Sequence, residues 1–402
     1  MSVDRSIPII DTDTHVTEPP DLWTSRVSKK WGDQVLHVKS QSAASEKSFI
    51  AKLAPDQGDA WFIGETQIAA IGQSAAAGWP EPFPGCPPTF EQCIPASHDA
   101  SARLAYMDEV GIFASVLFPN VGGLGAQNFL KLGDPKLMLE CVAAYNDHIC
   151  EWAATDPNRL LPMTCTPYWD IENAPAEIER CAKIGSKGLV FSGAPRTLGM
   201  PSLSSRHWDP IWEAAQACDL PICFHVGSGE IITSAVDPQE LADLGPETFY
   251  STLSTKTFLD NGNQLLDLLM SGVLPRYENL KFVSVESGIG WIPFVLESCD
   301  YHFKVGRVQD ARPEFKLLPS EYFQRQVYGC YWFEEIAPNK LIDSVGADNI
   351  LFETDFPHPT CLYGKDEIDD RIQKGLGKQS SEVQRKILAE NAAKLFKVEL
   401  PN

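Results

Sequence analysis

The segment Asp11-Thr-Asp13-Thr-His15-Val-Thr-Glu18 sets carboxylates and an imidazole at alternate positions straight after the apolar run Pro8-Ile-Ile10. In an extended strand, residues two apart point to the same side, so Asp11, Asp13 and His15 are predicted to share a face. Burying unpaired charges there is strongly unfavourable, and a divalent cation would offset the cost. A solvated strand end is the ordinary alternative. His225 closes a second apolar run, Pro221-Ile-Cys-Phe-His225, ahead of Gly227-Ser-Gly229, where a hydrogen-bonded core histidine is the plainer reading. Asp355 closes a third, Ile350-Leu-Phe-Glu-Thr-Asp355; an isolated aspartate at such a place often serves only as a helix cap. The conjunction of the three, rather than any one, points to a metal centre, and mixed nitrogen and oxygen ligands suit Zn, Mn or Fe. A further carboxylate, Glu286, ends Leu280-Lys-Phe-Val-Ser-Val-Glu286 and precedes Ser287-Gly-Ile-Gly290-Trp. It could be a general base for a metal-bound water or a ligand for a second metal, the alternative being a pairing with a nearby cation.

These residues need a scaffold that delivers several strand ends to one place. Eight short apolar runs are candidate strands: Pro8–Asp13, Phe113–Pro119, Leu160–Pro167, Gly188–Ser192, Pro221–His225, Leu280–Glu286, Gln326–Cys330 and Asn349–Asp355. Their continuous, rather than alternating, apolar character is that of a buried parallel sheet. Helical patterns separate most of them, at Ala100–Val110, Pro135–Thr155, Glu172–Ile184, Pro210–Cys218, Lys256–Ser271 and Pro338–Val345, and Glu382–Phe396 follows the last strand. This alternation and count predict an α/β fold, a (β/α)₈ barrel, with strands one, five, six and eight ending together at the mouth. No glycine-rich phosphate fingerprint follows a strand, which counts against a dinucleotide-binding fold. The chain, 1–402, reads as one metal-dependent barrel domain. Between Asp21 and Ser97 the rhythm breaks into Pro-, Gly- and Ala-rich sequence with no clean helical period. This 21–97 insertion in the first loop is expected to cap the mouth and shape the substrate pocket.

The formal net charge of −21 disfavours a nucleic-acid partner, since phosphate contacts need clustered Lys and Arg. The 11 cysteines contain no CxxC pair and several sit in apolar runs, so a reducing compartment without disulfides is expected. No apolar run reaches membrane-span length and the N-terminus lacks a signal-like core, so the expectation is a cytoplasmic protein with a small-molecule substrate and no membrane partner. Assembly is open; the aromatic-rich C-terminal third could supply a homodimer interface.

Five motifs together resemble a known family: Asp11-x-Asp13-x-His15-x-x-Glu18-Pro19, Arg103-Leu-Ala-x-Met107-Asp108-Glu-x-Gly111, His225 after its apolar strand, Glu286-Ser-Gly-Ile-Gly-Trp-Ile-Pro and Asp355-Phe-Pro-His358-Pro. They look like the amidohydrolase-related family of the amidohydrolase superfamily, and within it the aminocarboxymuconate-semialdehyde decarboxylase-like branch. The closing Ile387-Leu-x-x-Asn391-Ala-x-x-Leu395-Phe396 is similar to that family's last helix. The resemblance implies Asp13, His15, His225 and Asp355 as metal ligands, with Asp13 where most members have histidine. It also brings two departures. The branch's decarboxylases carry a histidine at the end of strand six, where this chain has Glu286. Two-metal hydrolases bridge their ions with a lysine on strand four; here Ser192-Gly193 ends that strand and Lys187 lies at its start. A second ion would therefore fall to Asp11, Glu18 and Glu286.

The absent strand-six histidine and the abundance of carboxylates favour metal-dependent hydrolysis of an amide, ester, thioester or related carbonyl compound. Glu286 or Asp355 would then take a proton from metal-activated water. The alternative is metal-dependent, non-oxidative decarboxylation of an unsaturated or aromatic acid. Loss of the metal, leaving a binding protein, is the third reading. His358 is expected at the mouth, for substrate contact or structural hydrogen bonding. Arg103 and Arg196 could anchor a carboxylate, although an ion pair is the plainer role for Arg103. His302 is either near the site or an ordinary surface residue.

Overall fold

Apolar runs of three to seven residues, separated by capped helices, are too short to stand alone and bury both faces by closing on themselves. In the computed structural model, which describes residues 3–4, 6–41, 46–48, 51–52, 57–229 and 238–401, they do so as a closed parallel barrel. Met1, Ser2 and Arg5 at the N-terminus and parts of the insertion lie outside the described residues. In chain order the strands are β1 (Ile9–His15), β2 (Leu36–Ser40), β3 (Glu46–Lys47), β4 (Asp59–Ile63), β5 (Thr66–Ala70), β6 (Ile112–Phe118), β7 (Leu160–Cys165), β8 (Gly188–Val190), β9 (Ile222–His225), β10 (Phe282–Val285), β11 (Val327–Tyr331) and β12 (Ile350–Phe352). The barrel runs β1-β12-β11-β10-β9-β8-β7-β6, so β1 closes against both β12 and β6. The eight predicted barrel strands are all present.

Helix limits follow the capping chemistry. Asp99 accepts from Ala102 N at the start of Ala100–Val110, which ends at a left-handed Gly111. Asp134 accepts from Lys136 N and Leu137 N ahead of Pro135–Ala153, with proline in the first turn where its missing N–H costs nothing. Three helices differ from expectation. The one predicted over Pro338–Val345 is two short helices, Ile336–Lys340 and Ile342–Val345, broken at Leu341. The one predicted from Lys256 begins at Pro246. The closing helix is interrupted by a π-helical turn at Lys386–Glu390, after which Asn391 donates from its amide to Ala347 O and Ile350 O, both at 2.8 Å. Leu395, Phe396 and Val398 then plug the end of the barrel opposite the mouth, against Ile10, Ala114, Leu161, Val283 and Leu351.

The insertion holds structure that its composition hides: a second sheet in the order β2-β4-β5-β3. Trp61 of β4 meets Trp23 edge-on, with centroids 5.3 Å apart, and the Trp23 indole donates to Cys141 O at 3.0 Å, tying the sheet to the Pro135–Ala153 helix. The proline-rich stretch lies against the sheet at Gly58, whose φ is +87° and where any Cβ would meet Pro88 O. The eleven cysteines are free thiols, all but Cys218 buried, and none forms a disulfide. No helix among the described residues is long and apolar enough to cross a membrane.

Candidate metal centre

The interior of β1 changes character halfway along, and a bulge makes the change. Ile10 pairs with Ala114 and Asp11 with Ser115, but the register slips between Asp11 and Thr14 before Thr14 pairs with Leu117 and His15 with Phe118. Ile10 packs in the barrel lumen, and Thr12 Oγ1 reaches the lumen residue Cys330. Past the slip, Asp13 and His15 face inward as well, because the extra residue inverts the alternation. Asp11 is left on the outer side. Its carboxylate accepts from Thr354 N (2.9 Å) and Thr354 Oγ1 (2.5 Å), so the predicted common face of Asp11, Asp13 and His15 holds only for the last two.

Pairing between β1 and the chain after β12 continues to the candidate ligands. Asp355 N donates to Asp13 O at 2.9 Å and His15 N to Phe356 O at 2.7 Å. Arg103, fully buried, clamps this edge through Ala96 O (2.6 Å), Thr14 Oγ1 (3.2 Å) and His15 O (2.5 Å). It thus bonds mostly to main chain and makes neither the expected ion pair nor a carboxylate anchor.

Asp13, His15, His225 and Asp355 converge with no exposed surface. His15 Nε2 lies 3.4 Å from both Asp13 Oδ1 and Asp355 Oδ1, and His225 Nε2 lies 3.3 Å from Asp13 Oδ1. Backbone carbonyls fix both rings: His15 Nδ1 faces Pro119 O at 3.2 Å and His225 Nδ1 faces Val226 O at 3.0 Å. Each neutral ring therefore carries its hydrogen on Nδ1 and turns the Nε2 lone pair inward. Asp13 Oδ2, His15 Nε2 and both oxygens of Asp355 are buried without a hydrogen-bond partner. Lone pairs of two carboxylates and two imidazoles aimed at one point repel unless a cation lies among them, so this donor set fits a divalent ion. Potential ligand atoms group as Asp13–His15–His225, His15–Asp355–His358 and Asp13–Glu286–Asp355, those within each group lying within 4.8 Å of one another.

Electrostatics tell the same story. Burial pushes Asp355 up to about 7, although the neighbouring His15 ring acts in the opposite direction. Burial would also raise Asp13, but His225 and His15 outweigh it and hold that carboxyl below its ordinary range. Burial works against protonation of His225, yet Asp13 overrides it and raises the ring. A proton between His225 and Asp13 thus occupies the lone pairs a cation would use, and metal affinity should rise with pH. Glu286 is raised well above its ordinary range, by burial first and then by Asp355, Asp13 and Glu353. Its φ of +57° and that of Asp355, +63°, are strained for non-glycine residues, as held side chains at functional sites often are.

The other candidates separate. Glu286 Oε2 sits 3.5 Å from His225 Nδ1, at the centre. Glu18 accepts from Asn120 N and Val121 N at 2.9 and 3.0 Å and supports that loop. Neither Asp11 nor Glu18 enters a ligand group among the described residues, so of the second-ion candidates only Glu286 does. His358 stacks on His15, with centroids 3.8 Å apart, and places Nδ1 2.7 Å from Asp355 Oδ1. His302 and Arg196 are exposed. Sequence reasoning missed Glu353, buried with Oε2 accepting from Glu286 N at 3.1 Å, and Glu334, which accepts from Ile289 N and Gly290 N. Spacing could have flagged Glu353, two residues before Asp355; nothing local marks Glu334.

A family model described as amidohydrolase matches residues 95–398. The chain belongs to the amidohydrolase family. Within it, the chain falls in the aminocarboxymuconate-semialdehyde decarboxylase-like branch, and it is an enzyme of the amidohydrolase superfamily. A gamma-resorcylate decarboxylase from Polaromonas sp. (strain JS666) is 26% identical over 305 residues, 74% of this chain and 86% of the relative. The crystal structure of an amidohydrolase from Mycobacterium avium subsp. paratuberculosis K-10 superposes with a TM-score of 0.72 at 22% identity, covering 97% of this chain and 99% of that one. A 5-carboxyvanillate decarboxylase from Novosphingobium aromaticivorans DSM 12444, solved with manganese and 4-hydroxy-3-methoxy-5-nitrobenzoic acid, gives 0.65 at 19% identity, covering 98% of each chain. At these identities the two structures bear on the fold, which they share. The hydrolytic reading does not stand, because the curated relatives are decarboxylases. The missing strand-six histidine misled it: a buried, neutral glutamate can also carry a proton.

Proposed function

We propose that this enzyme is a metal-dependent decarboxylase acting on a small aromatic or unsaturated carboxylic acid, with Asp13, His15, His225 and Asp355 as the ligands. The observation that carries the reading is the buried convergence of unpartnered Asp13, His15 and Asp355 atoms beside a raised Glu286, in a chain whose curated relatives remove carboxyl groups. A bound divalent ion would supply the positive charge that holds a substrate carboxylate and an adjacent oxygen. In the reaction the carbon–carbon bond breaks, its electron pair stays on the substrate carbon, and that carbon takes a proton as carbon dioxide leaves. Glu286 suits the donor role. Burial keeps its proton on the carboxyl, Glu353 fixes its backbone, and it stands on the strand end where the branch's decarboxylases carry histidine.

The 21–97 insertion is assigned here as the cap over the mouth. Ala77 N donates to Pro357 O at 3.0 Å, and Ala77 and Ala96 pack with Phe356 and Cys361, on the loop that carries Asp355 and His358.

The test is a panel of carboxyl-labelled ortho-hydroxybenzoic and unsaturated acids, run with Mn²⁺ in heavy water. Labelled carbon dioxide should evolve, deuterium should appear at the carbon that lost it, and chelation should stop both. Glu286→Gln should retain its metal and slow release about 100- to 10,000-fold, the range for a lost general acid. Carbon dioxide release from Glu286→Gln at the wild-type rate would remove that residue from its role. No release from any member of the panel would overturn the reading.

A further inference from the structure

His358 is held the opposite way round from the other two histidines of the centre. His15 and His225 are fixed at Nδ1 by main-chain carbonyls and turn Nε2 inward. His358 is fixed at Nε2, which lies 2.8 Å from Asn120 Oδ1. The orientation of Asn120 is settled by its other end, where Nδ2 donates to Val16 O at 3.1 Å, so the atom facing His358 is an oxygen and can only accept. Two backbone amides of the same loop, Asn120 N and Val121 N, donate to the buried carboxylate of Glu18. The ring of His358 lies parallel to that of His15, tilted by 22°.

We propose that Asn120 is a positioning residue that keeps the His358 hydrogen on Nε2, and that His358 Nδ1 thereby becomes a further ligand position of the metal centre. The neutral ring then has its lone pair on Nδ1, 2.7 Å from Asp355 Oδ1. An imidazole lone pair and a carboxylate oxygen at that separation are favourable only with a proton or a metal ion between them, and deprotonation of Asp355 leaves the place to the ion. His15 Nε2, itself without a hydrogen-bond partner, is 3.4 Å from the same Asp355 oxygen, and the three groups lie within ligand reach of one another. Asn120 does for His358 what Pro119 O and Val226 O do for the other rings: an acceptor behind the ring decides which nitrogen faces the metal. The chain therefore adds one imidazole, from the loop after β12 that also carries Asp355, to the four ligands proposed above.

The inference rests on the metal assignment proposed above but not on the reaction. Its test uses the full-length chain and no substrate: Mn²⁺ dissociation by competition with a chelator, and the visible absorption of the Co²⁺-loaded protein. Asn120→Ala should weaken Mn²⁺ binding about 10- to 100-fold, as loss of an outer partner of a ligating histidine does. His358→Phe, which keeps a ring against His15, should weaken it at least as much and alter the Co²⁺ spectrum. The double variant should match His358→Phe in Mn²⁺ affinity, because the side chain of Asn120 reaches the centre through that ring. An unchanged Mn²⁺ affinity and Co²⁺ spectrum in folded His358→Phe would overturn the inference, as would single losses that simply add. If Asn120→Ala does not fold, His358→Phe decides by the same two readouts. A failed decarboxylation assay would leave the inference standing, whereas absence of Mn²⁺ binding by the wild-type chain would sink the metal assignment itself.

Discussion

The two halves of the centre are held by different chemistry. On the β1/β12 side, Asp13, His15 and Asp355 hang from main-chain pairing, with Arg103 clamped on Ala96 O, Thr14 and His15 O. On the β9/β10 side, the chain around Glu286 is held by acids: Glu353 accepts from Glu286 N, and Glu334 accepts from Ile289 N and Gly290 N. A guanidinium keeps its charge at any working pH, and burial lowers Arg103 only to about 10. Burial lifts Glu334 to about 7 and Glu353 well above its ordinary range. One half is therefore set once, by folding, while the other is held by buried acids, of which Glu334 titrates near 7, in the range where enzymes work.

The sharpest way to break this contrast is at Asp355, the proposed ligand of the first half. Asp355→Asn should abolish turnover and release the metal, read by elemental analysis of the purified variant. Retained metal and turnover would move the ligand set elsewhere. The next effect is on stability. Arg103→Met leaves Ala96 O, Thr14 Oγ1 and His15 O buried without their donor, and should cost about 3 kcal/mol in chemical denaturation, since each orphaned group costs about 1–3 kcal/mol. A loss under about 1 kcal/mol would show that the clamp is dispensable.

The smallest effect sharpens the second half. Glu334 titrates near 7 in the folded chain and near 4.5 when unfolded. Between those values the folded state holds a proton that the unfolded state has released. Its contribution is full below about 4.5 and is lost as pH rises toward 7. Glu334→Gln should flatten the pH dependence of stability across that window, measured by denaturation at several pH values. An identical slope in wild type and variant would erase the distinction between the halves.

Much of this was legible. Continuous apolar runs ending in Asp13, His225, Glu286 and Asp355 gave away both the barrel and its mouth, because a buried parallel strand has little reason to end in a charge. The second sheet was not legible: β2 to β5 are short, and β3 spans only Glu46–Lys47, so no periodic signal develops and tertiary contacts such as Trp61 on Trp23 decide the fold. Glu334 was invisible for another reason. Its partners are backbone amides 44 and 45 residues away, and only the closed barrel brings them together. Hydrolysis and decarboxylation could not be told apart because both need a metal and one mobile proton. The residue types at the mouth say nothing about which bond that proton serves.

The slip in β1 carries a last consequence. It acts as a change of phase: before it the lumen reads even-numbered residues, Ile10 and Thr12, and after it odd-numbered ones, Asp13 and His15. One residue of slack lets a single strand serve two masters, a greasy plug below and a charged mouth above. Shortening that strand by one position would do more than trim it. The lining would be exchanged wholesale, sending the histidine toward the helices and a threonine toward the candidate ion site.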